Sequence, residues 1–113
     1  MTENEFQKFM YNLPIVKDST RIRAKVLIGD ITVSIQSSDQ HYSDPQERGL
    51  REYRQWEVGF PSQVIEEFIP YETPIGSYDY TKMVYAYVPT EAILAVISRL
   101  GGIKEVPVDH ETP

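Results

Sequence analysis

The sequence predicts an α+β fold: a small, mainly antiparallel sheet with a β-hairpin, an N-terminal helix, a short middle helix and a C-terminal helix. Three observations support this prediction. Residues 21–36 alternate around a central Gly-Asp turn, apolar residues recur at helical spacing near both ends, and 113 residues suit one core. We expect a single domain over 1–113, with the N-terminal helix in 1–14, a sheet-and-helix core in 20–108 and a frayed tail in 109–113.

The N-terminal helix is predicted by its start and by its apolar stripe. Thr2 can cap it, and Glu5, three residues on, completes a capping box. The stripe that follows consists of Phe6, Phe9, Met10 and Leu13. Its polar face carries glutamates rather than lysines, so we expect it to pack on the core or on a partner subunit rather than on a membrane.

Residues 21–36 predict a hairpin. Gly29-Asp30 forms a two-residue turn, which places Ile28 opposite Ile31. The same register pairs Val26 with Val33 and Ala24 with Ile35. One face of the hairpin is then apolar, and the other is expected to be wet and basic, with Arg21, Arg23 and Lys25.

The remaining elements follow from local signals. Residues 37–49 form a polar loop of a length that is often functional or mobile. Alternation predicts strands over 53–60 and 82–88, separated by a helix from Ser62 to Ile69 that stops at Pro70, and by a loop over 70–81. Thr90 is expected to cap the last helix, which ends at Gly101-Gly102. An edge strand is expected within 103–108.

Composition excludes several classes of function. There is no cysteine, so disulfides, thiolate metal sites and cysteine nucleophiles are absent. No apolar run approaches the roughly 18 residues that span a bilayer. The acidic N-terminus is unlike a signal peptide. We therefore expect a cytoplasmic protein that does not bind membranes.

The sequence offers little catalytic chemistry. His41 lies near Ser43 and Asp44, but a triad needs a geometry usually built from distant elements, and there is no nucleophile-elbow motif. The alternative is a loop histidine that bonds to the backbone or lines a pocket. No metal-ligand pattern and no glycine-rich phosphate loop is present. We expect no enzyme activity, no metal and no cofactor.

Charge is distributed unevenly along the chain. Residues 21–54 carry six basic and five acidic side chains, while the rest carries five basic and twelve acidic ones. If Arg21, Arg23 and Arg54 converge on the helix N-terminus at Thr90, they form a compact anion site. The alternative is that they pair with neighbouring acids on a solvated face. The net charge of −6 argues against duplex nucleic acid as a partner.

Aromatic residues are the second signal of binding. Of eight tyrosines, Tyr42, Tyr71, Tyr78 and Tyr80 lie in the two long loops. A tyrosine ring can stack on a base or a partner, or it can simply anchor its loop. The candidate ligand-binding residues are Arg21, Arg23, His41, Tyr42, Arg54, Trp56 and Thr90.

Four short motifs resemble small phage and prophage proteins: residues 33–36 (Val-Ser-Ile-Gln), 41–45 (His-Tyr-Ser-Asp-Pro), 57–62 (Glu-Val-Gly-Phe-Pro-Ser) and 84–89 (Val-Tyr-Ala-Tyr-Val-Pro). Together they are similar to the Thoeris anti-defence protein 1 family over about residues 26–103. The resemblance implies an oligomeric, non-enzymatic protein that sequesters cyclic ADP-ribose-type signals or cyclic oligonucleotides in pockets between subunits.

Three functions follow as hypotheses. The first is a homo-oligomer in the host cytoplasm that sequesters a small anionic nucleotide and so blocks anti-phage defence. The second is an acidic inhibitor or interaction module that binds a host protein, suggested by the acidic flanks 1–20 and 57–113. The third, an enzyme that uses His41, has the least support.

Overall fold

The α+β class is confirmed by a computed structural model that describes residues 1–16, 21–73 and 79–106. Its single sheet has five strands, all antiparallel, in the order β4-β3-β2-β1-β5. The helices and strands are α1 (Glu3–Tyr11), β1 (Val26–Ile28), β2 (Ile31–Gln36), β3 (Gln55–Gly59), β4 (Val84–Pro89), α2 (Thr90–Leu100) and β5 (Ile103–Glu105).

The core lies between the sheet and the two α-helices. Phe6 and Met10 of α1 and Ile93 of α2 are fully buried against the apolar side chains of β1 to β4. The rings of Phe6 and Trp56 meet edge to face, with their centroids 5.3 Å apart. The N-terminal helix therefore belongs to the core. The capping box predicted at Thr2 and Glu5 is present.

The hairpin turn is confirmed, and so is the register of the pairs next to it; the predicted pair of Ala24 and Ile35 lies outside the observed ladder. Val26 pairs with Val33, and Ile28 pairs with Ile31. Gly29 has a φ of 57°, and a Cβ placed on it would lie 2.6 Å from the carbonyl oxygen of Leu100. Glycine is therefore required here both by the left-handed backbone and by the close approach of the end of α2.

The prediction that the first strand begins at Arg21 is wrong, because the ladder starts only at Val26. Upstream, the side-chain amide of Gln36 replaces the backbone partner. Its Oε1 accepts hydrogen bonds from the backbone N–H groups of Ile22 and Arg23 at 3.0 and 2.9 Å, and its Nε2 donates to the Arg23 carbonyl at 2.9 Å. This end of the hairpin is not a wet basic face, since Arg23, Ser34 and Gln36 are buried.

The middle helix differs from the prediction. It is a 3₁₀ helix over Glu66–Tyr71 that contains Pro70 rather than stopping at it. Ser62 does not cap it. Its hydroxyl accepts a hydrogen bond from the Thr32 N–H at 2.9 Å, which ties this segment to β2 instead.

The last helix begins one residue earlier than predicted. Pro89 occupies the N-cap position and Thr90 is the first helical residue, so its side chain turns inward. Gly101 ends the helix with a φ of 95°, as expected. The edge strand is β5, while residues 107–108 and the predicted tail lie outside the described residues. Within the described ranges, no helix is long and apolar enough to cross a membrane.

Candidate functional site

Five predicted binding residues lie together where β3 begins, β4 ends and α2 starts. This corner cluster consists of His41, Tyr42, Arg54, Trp56 and Thr90. The bonds that join it run through the backbone of several segments: the Thr90 N–H donates to the Arg54 carbonyl at 3.0 Å, and the Tyr87 N–H donates to the Tyr42 carbonyl at 3.0 Å. The fold thus brings these segments together, but their side chains divide between two faces of β3: Trp56 points into the core, and Glu57, the next residue, faces His41.

Trp56 and Thr90 form the buried part of the corner cluster. The indole Nε1–H of Trp56 donates to the Thr90 hydroxyl at 2.9 Å, and that hydroxyl donates to the Tyr53 carbonyl at 3.0 Å. Trp56 is only 1% exposed. These two side chains join β3 to the start of α2 and do not reach a ligand at the protomer surface.

His41 is also buried, on the side of β3 that Glu57 faces. Its Nδ1 lies 2.7 Å from the Ser38 hydroxyl, and its Nε2 lies 4.0 Å from a Glu57 carboxylate oxygen. Ser38 is fully buried, and its hydroxyl accepts a hydrogen bond from the Gln40 N–H at 2.9 Å. Ser38, the serine whose hydroxyl faces His41, therefore closes a turn and is out of reach of a substrate.

The exposed part of the corner cluster is a pair of tyrosines. Tyr42 and Tyr87 are 45% and 41% exposed, and their ring centroids lie 5.9 Å apart at an angle of 43°. Tyr87 sits at a β-bulge opposite the Trp56–Val58 stretch and has a φ of 54°. A bulky residue in this region is strained, and such strain is concentrated at functional sites.

The Arg54 side chain is tied to Asp44, which lies two residues after Tyr42 in the same loop. Its guanidinium donates to both carboxylate oxygens of Asp44, at 3.0 and 3.1 Å. This hydrogen bonding raises the pKa of Arg54, whose side chain remains largely exposed, while that of Asp44 is about half-exposed. In the protomer, Arg54 therefore forms an ion pair with a neighbouring acid, which was the alternative to an anion site.

Arg23 does not join the corner cluster. It is buried and donates a hydrogen bond to the Met10 carbonyl at the end of α1. Burial lowers its pKa. The predicted convergence of Arg23 on the start of α2 is therefore not formed. Arg21 is half-buried at the start of the segment that Gln36 binds.

Sequence reasoning missed Tyr87, because a residue inside an alternating strand is read as part of the ladder. Only the bulge turns its ring outward, and no residue pattern marks that bulge. Tyr78, one of the loop tyrosines, lies outside the described residues. Among the residues whose positions are described, no cluster of three or more histidines or carboxylates could hold a metal ion.

Comparison with protein family models, with curated proteins and with solved structures finds no match to this chain. The chemistry of the corner cluster and its surroundings is therefore the basis for a proposed function.

Proposed function

We propose that this chain is a binding protein that sequesters a small anionic nucleotide in the host cytoplasm without cleaving it. The ligand class implied by the family resemblance is a cyclic ADP-ribose-type signal or a cyclic oligonucleotide, and its capture would block an anti-phage defence. The observation that carries the proposal is the exposed Tyr42–Tyr87 pair. Arg54 is linked to it through Asp44, which shares a loop with Tyr42.

The two rings supply stacking. They are held by the hydrogen bond from the Tyr87 N–H to the Tyr42 carbonyl, so little ordering is needed on binding. A base stacked on an aromatic side chain gains about 1–3 kcal/mol. Tyrosine hydroxyls at the edge of the pair can in addition bond to ribose or phosphate oxygens.

Arg54 supplies the phosphate contact. Its pair with Asp44 is exposed, and exposed ion pairs contribute only about 0–1 kcal/mol. A ligand phosphate can therefore replace Asp44 as the partner of the guanidinium at small cost. Arginine suits this exchange, because its planar fork binds phosphate and carboxylate with the same bidentate geometry.

Binding without cleavage is supported by the position of the only histidine in the corner cluster. His41 faces a fully buried serine hydroxyl and a half-buried glutamate. Neither group can reach the glycosidic or phosphodiester bond of a ligand on the Tyr42–Tyr87 surface.

Oligomerisation is part of the proposal. A second copy that covers Tyr42 and Tyr87 would close the site and bury the exposed rings. Light scattering on the full chain then gives a multiple of 13.1 kDa. A strictly monomeric mass, with and without a bound nucleotide, contradicts this part.

The test is calorimetric titration with cyclic ADP-ribose isomers and with cyclic di- and trinucleotides. We expect micromolar or tighter binding of at least one of them, weakened at least tenfold by Tyr87→Asn, a change worth about 1.4 kcal/mol. Asparagine tolerates the left-handed backbone, so the variant removes the ring without adding strain.

Phe60 provides the matched control. It is likewise aromatic, 45% exposed and left-handed, with a φ of 51°, but it lies at the opposite end of the β3–β4 pair. Phe60→Asn should leave nucleotide affinity unchanged. The proposal fails if none of the nucleotides binds, or if both variants weaken binding equally.

A second candidate, an interaction module that binds a basic site on a host protein, is favoured by a different surface. Phe60 and Val64 are each 45% exposed close to one another in sequence, within the acidic flank 57–113. Aromatic residues are enriched at protein interfaces. Pull-down from host lysate discriminates: a stoichiometric, salt-sensitive partner lost in Phe60→Asn but kept in Tyr87→Asn supports this function.

A further inference from the structure

We propose that a groove between α1 and residues 51–52 is a second binding site, for a phosphate ester of about mononucleotide size. The groove has a volume of about 660 Å³ and is lined by Asn4, Lys8, Tyr11 and Asn12 on one wall and by Arg51 and Glu52 on the other. Ligand pockets commonly enclose about 300–1,000 Å³. This site does not depend on the Tyr42–Tyr87 surface.

Arg51 is the first argument for an anionic ligand. Its guanidinium carbon lies 4.6 Å from the centroid of the Tyr11 ring, so the cation is stacked on the aromatic face. Stacking fixes the plane of the guanidinium and leaves its N–H edges for a ligand. In the described part of the chain, Arg51 forms no ion pair with an acid.

Lys8 brings a second cation to the same groove. It lies one helical turn before Tyr11, is exposed, and forms no ion pair within the described ranges. A lysine ammonium and a stacked arginine fork together suit one phosphate group, which accepts bidentate and single hydrogen bonds at the same time.

Arg23 adds positive charge behind the groove. It is buried against the end of α1, and its Nε has no hydrogen-bond partner among the described residues. Three cations therefore surround the second half of α1 in a chain whose net charge is −6. Buried charge is weakly screened by salt, so it favours an anion nearby.

The other lining groups restrict the rest of the ligand. The Asn12 amide nitrogen donates to the Lys8 carbonyl at 2.8 Å, which leaves its amide oxygen to accept from a ligand. Glu52 repels a second phosphate and accepts hydrogen bonds from hydroxyl or amino groups. This donor and acceptor set fits one phosphate attached to a sugar or base better than a polyphosphate.

The test is an amide chemical-shift titration of the full chain with adenosine 5′-monophosphate as the probe. We expect saturable shifts in the signals of residues 4–12 and 51–52, with a Kd below about 5 mM. Inorganic phosphate alone should bind at least fivefold more weakly. Lys8→Ala and Arg51→Ala should each weaken binding of the nucleotide at least fivefold.

Lys104→Ala is the charge-matched control, because Lys104 is another exposed lysine without an ion pair in the described ranges, located on β5. It should leave the affinity within twofold of wild type. An equal loss of nucleotide affinity in Lys104→Ala and Lys8→Ala shows a non-specific charge effect and overturns the proposal. So does the absence of saturable shifts at about 10 mM nucleotide, or equal affinity for phosphate alone.

The same titration separates this site from the proposed function. Tyr87→Asn should leave the groove shifts intact, since Tyr87 does not line the groove. If cyclic nucleotides fail to bind while adenosine monophosphate still shifts the signals of the groove residues, the proposed function fails and the inference of a groove site is supported. If Tyr87→Asn abolishes the groove shifts, the two sites are one and this inference fails.

Discussion

Replacing Thr90 with valine is expected to destabilise the fold, because Thr90 joins β3 to α2 from inside the core. The substitution keeps the shape of the side chain and replaces its hydroxyl with a methyl group. In the native chain that hydroxyl accepts from the Trp56 indole at 2.9 Å and donates to the Tyr53 carbonyl at 3.0 Å.

The magnitude follows from which groups lose their partners. The Tyr53 carbonyl still accepts from the Gln7 amide at 2.8 Å, and the Arg54 carbonyl still accepts from the residue-90 N–H. The Trp56 N–H alone is left buried without an acceptor. An unsatisfied buried donor costs about 1–3 kcal/mol, so we expect a loss of about 2–3 kcal/mol for Thr90→Val.

Urea unfolding followed by fluorescence measures this loss, since Trp56 is the single tryptophan. With a urea m-value of about 1.5 kcal/mol/M, the midpoint should fall by about 1.5 M. Far-UV circular dichroism should give the same midpoint. Thr90→Ser keeps the hydroxyl and serves as the control, with a loss of about 1 kcal/mol from the missing methyl group.

A different outcome would refute the reasoning. If Thr90→Val loses less than about 0.5 kcal/mol but weakens nucleotide binding, Thr90 belongs to a ligand site, as the sequence suggested, and its bond to Trp56 carries little energy. The same holds if valine and serine give equal stability.

Three further predictions concern the fold. Gly29→Ala should lower the free energy of unfolding by at least about 2 kcal/mol in chemical denaturation, since a Cβ meets the Leu100 carbonyl and the left-handed backbone alone costs about 1–2 kcal/mol. Unchanged stability contradicts the close approach. Gln36→Leu should lose about 2–5 kcal/mol in the same measurement, because it removes the acceptor of the buried Arg23 N–H and of the part-buried Ile22 N–H. Stability unchanged within about 0.5 kcal/mol speaks against that. Hydrogen bonding from Arg99 lowers the pKa of Glu67, so their bond stabilises the fold above the normal carboxyl pKa and is lost as the pH falls through the lowered pKa. Glu67→Gln should therefore weaken the pH dependence of the free energy of unfolding between about pH 4.5 and 3. An unchanged pH dependence contradicts this prediction.

The hairpin could be predicted because its signals are local. Two turn residues set the register from Val26 to Val33, and alternation set the buried face. Its first strand could not be bounded, because the side chain of Gln36 replaces a backbone partner 13 residues away in sequence. Alternation alone does not distinguish a strand paired by backbone hydrogen bonds from a segment paired by a side-chain amide.

The candidate site shows the same division. Residue type and position pointed to Tyr42, Arg54 and Thr90. The fold joins Arg54 to Thr90 by a backbone hydrogen bond and joins Tyr42 to Tyr87 by another. Which of them face solvent depended on contacts between distant segments. Thr90 turned inward because Pro89 took the N-cap, and Tyr87 turned outward because β4 holds a bulge.

The groove beside α1 was outside the reach of sequence reasoning for a simpler reason. Lys8 and Tyr11 read as the polar face of a packing helix, and Arg51 read as one of several cations in residues 21–54. Their association is a tertiary contact over 40 residues, made when Arg51 stacks on Tyr11. The periodicity of the sequence does not predict contacts between side chains so far apart in the chain.

The central claim is that the Tyr42–Tyr87 pair and Arg54 bind a cyclic nucleotide. Its most direct test is a chemical-shift titration of the full chain with cyclic ADP-ribose isomers and with cyclic di- and trinucleotides. We expect saturable shifts at micromolar ligand, concentrated in the amides of Tyr42, Arg54 and Tyr87. Saturable shifts confined to other residues, or none with any of these nucleotides at about 1 mM, would contradict the account.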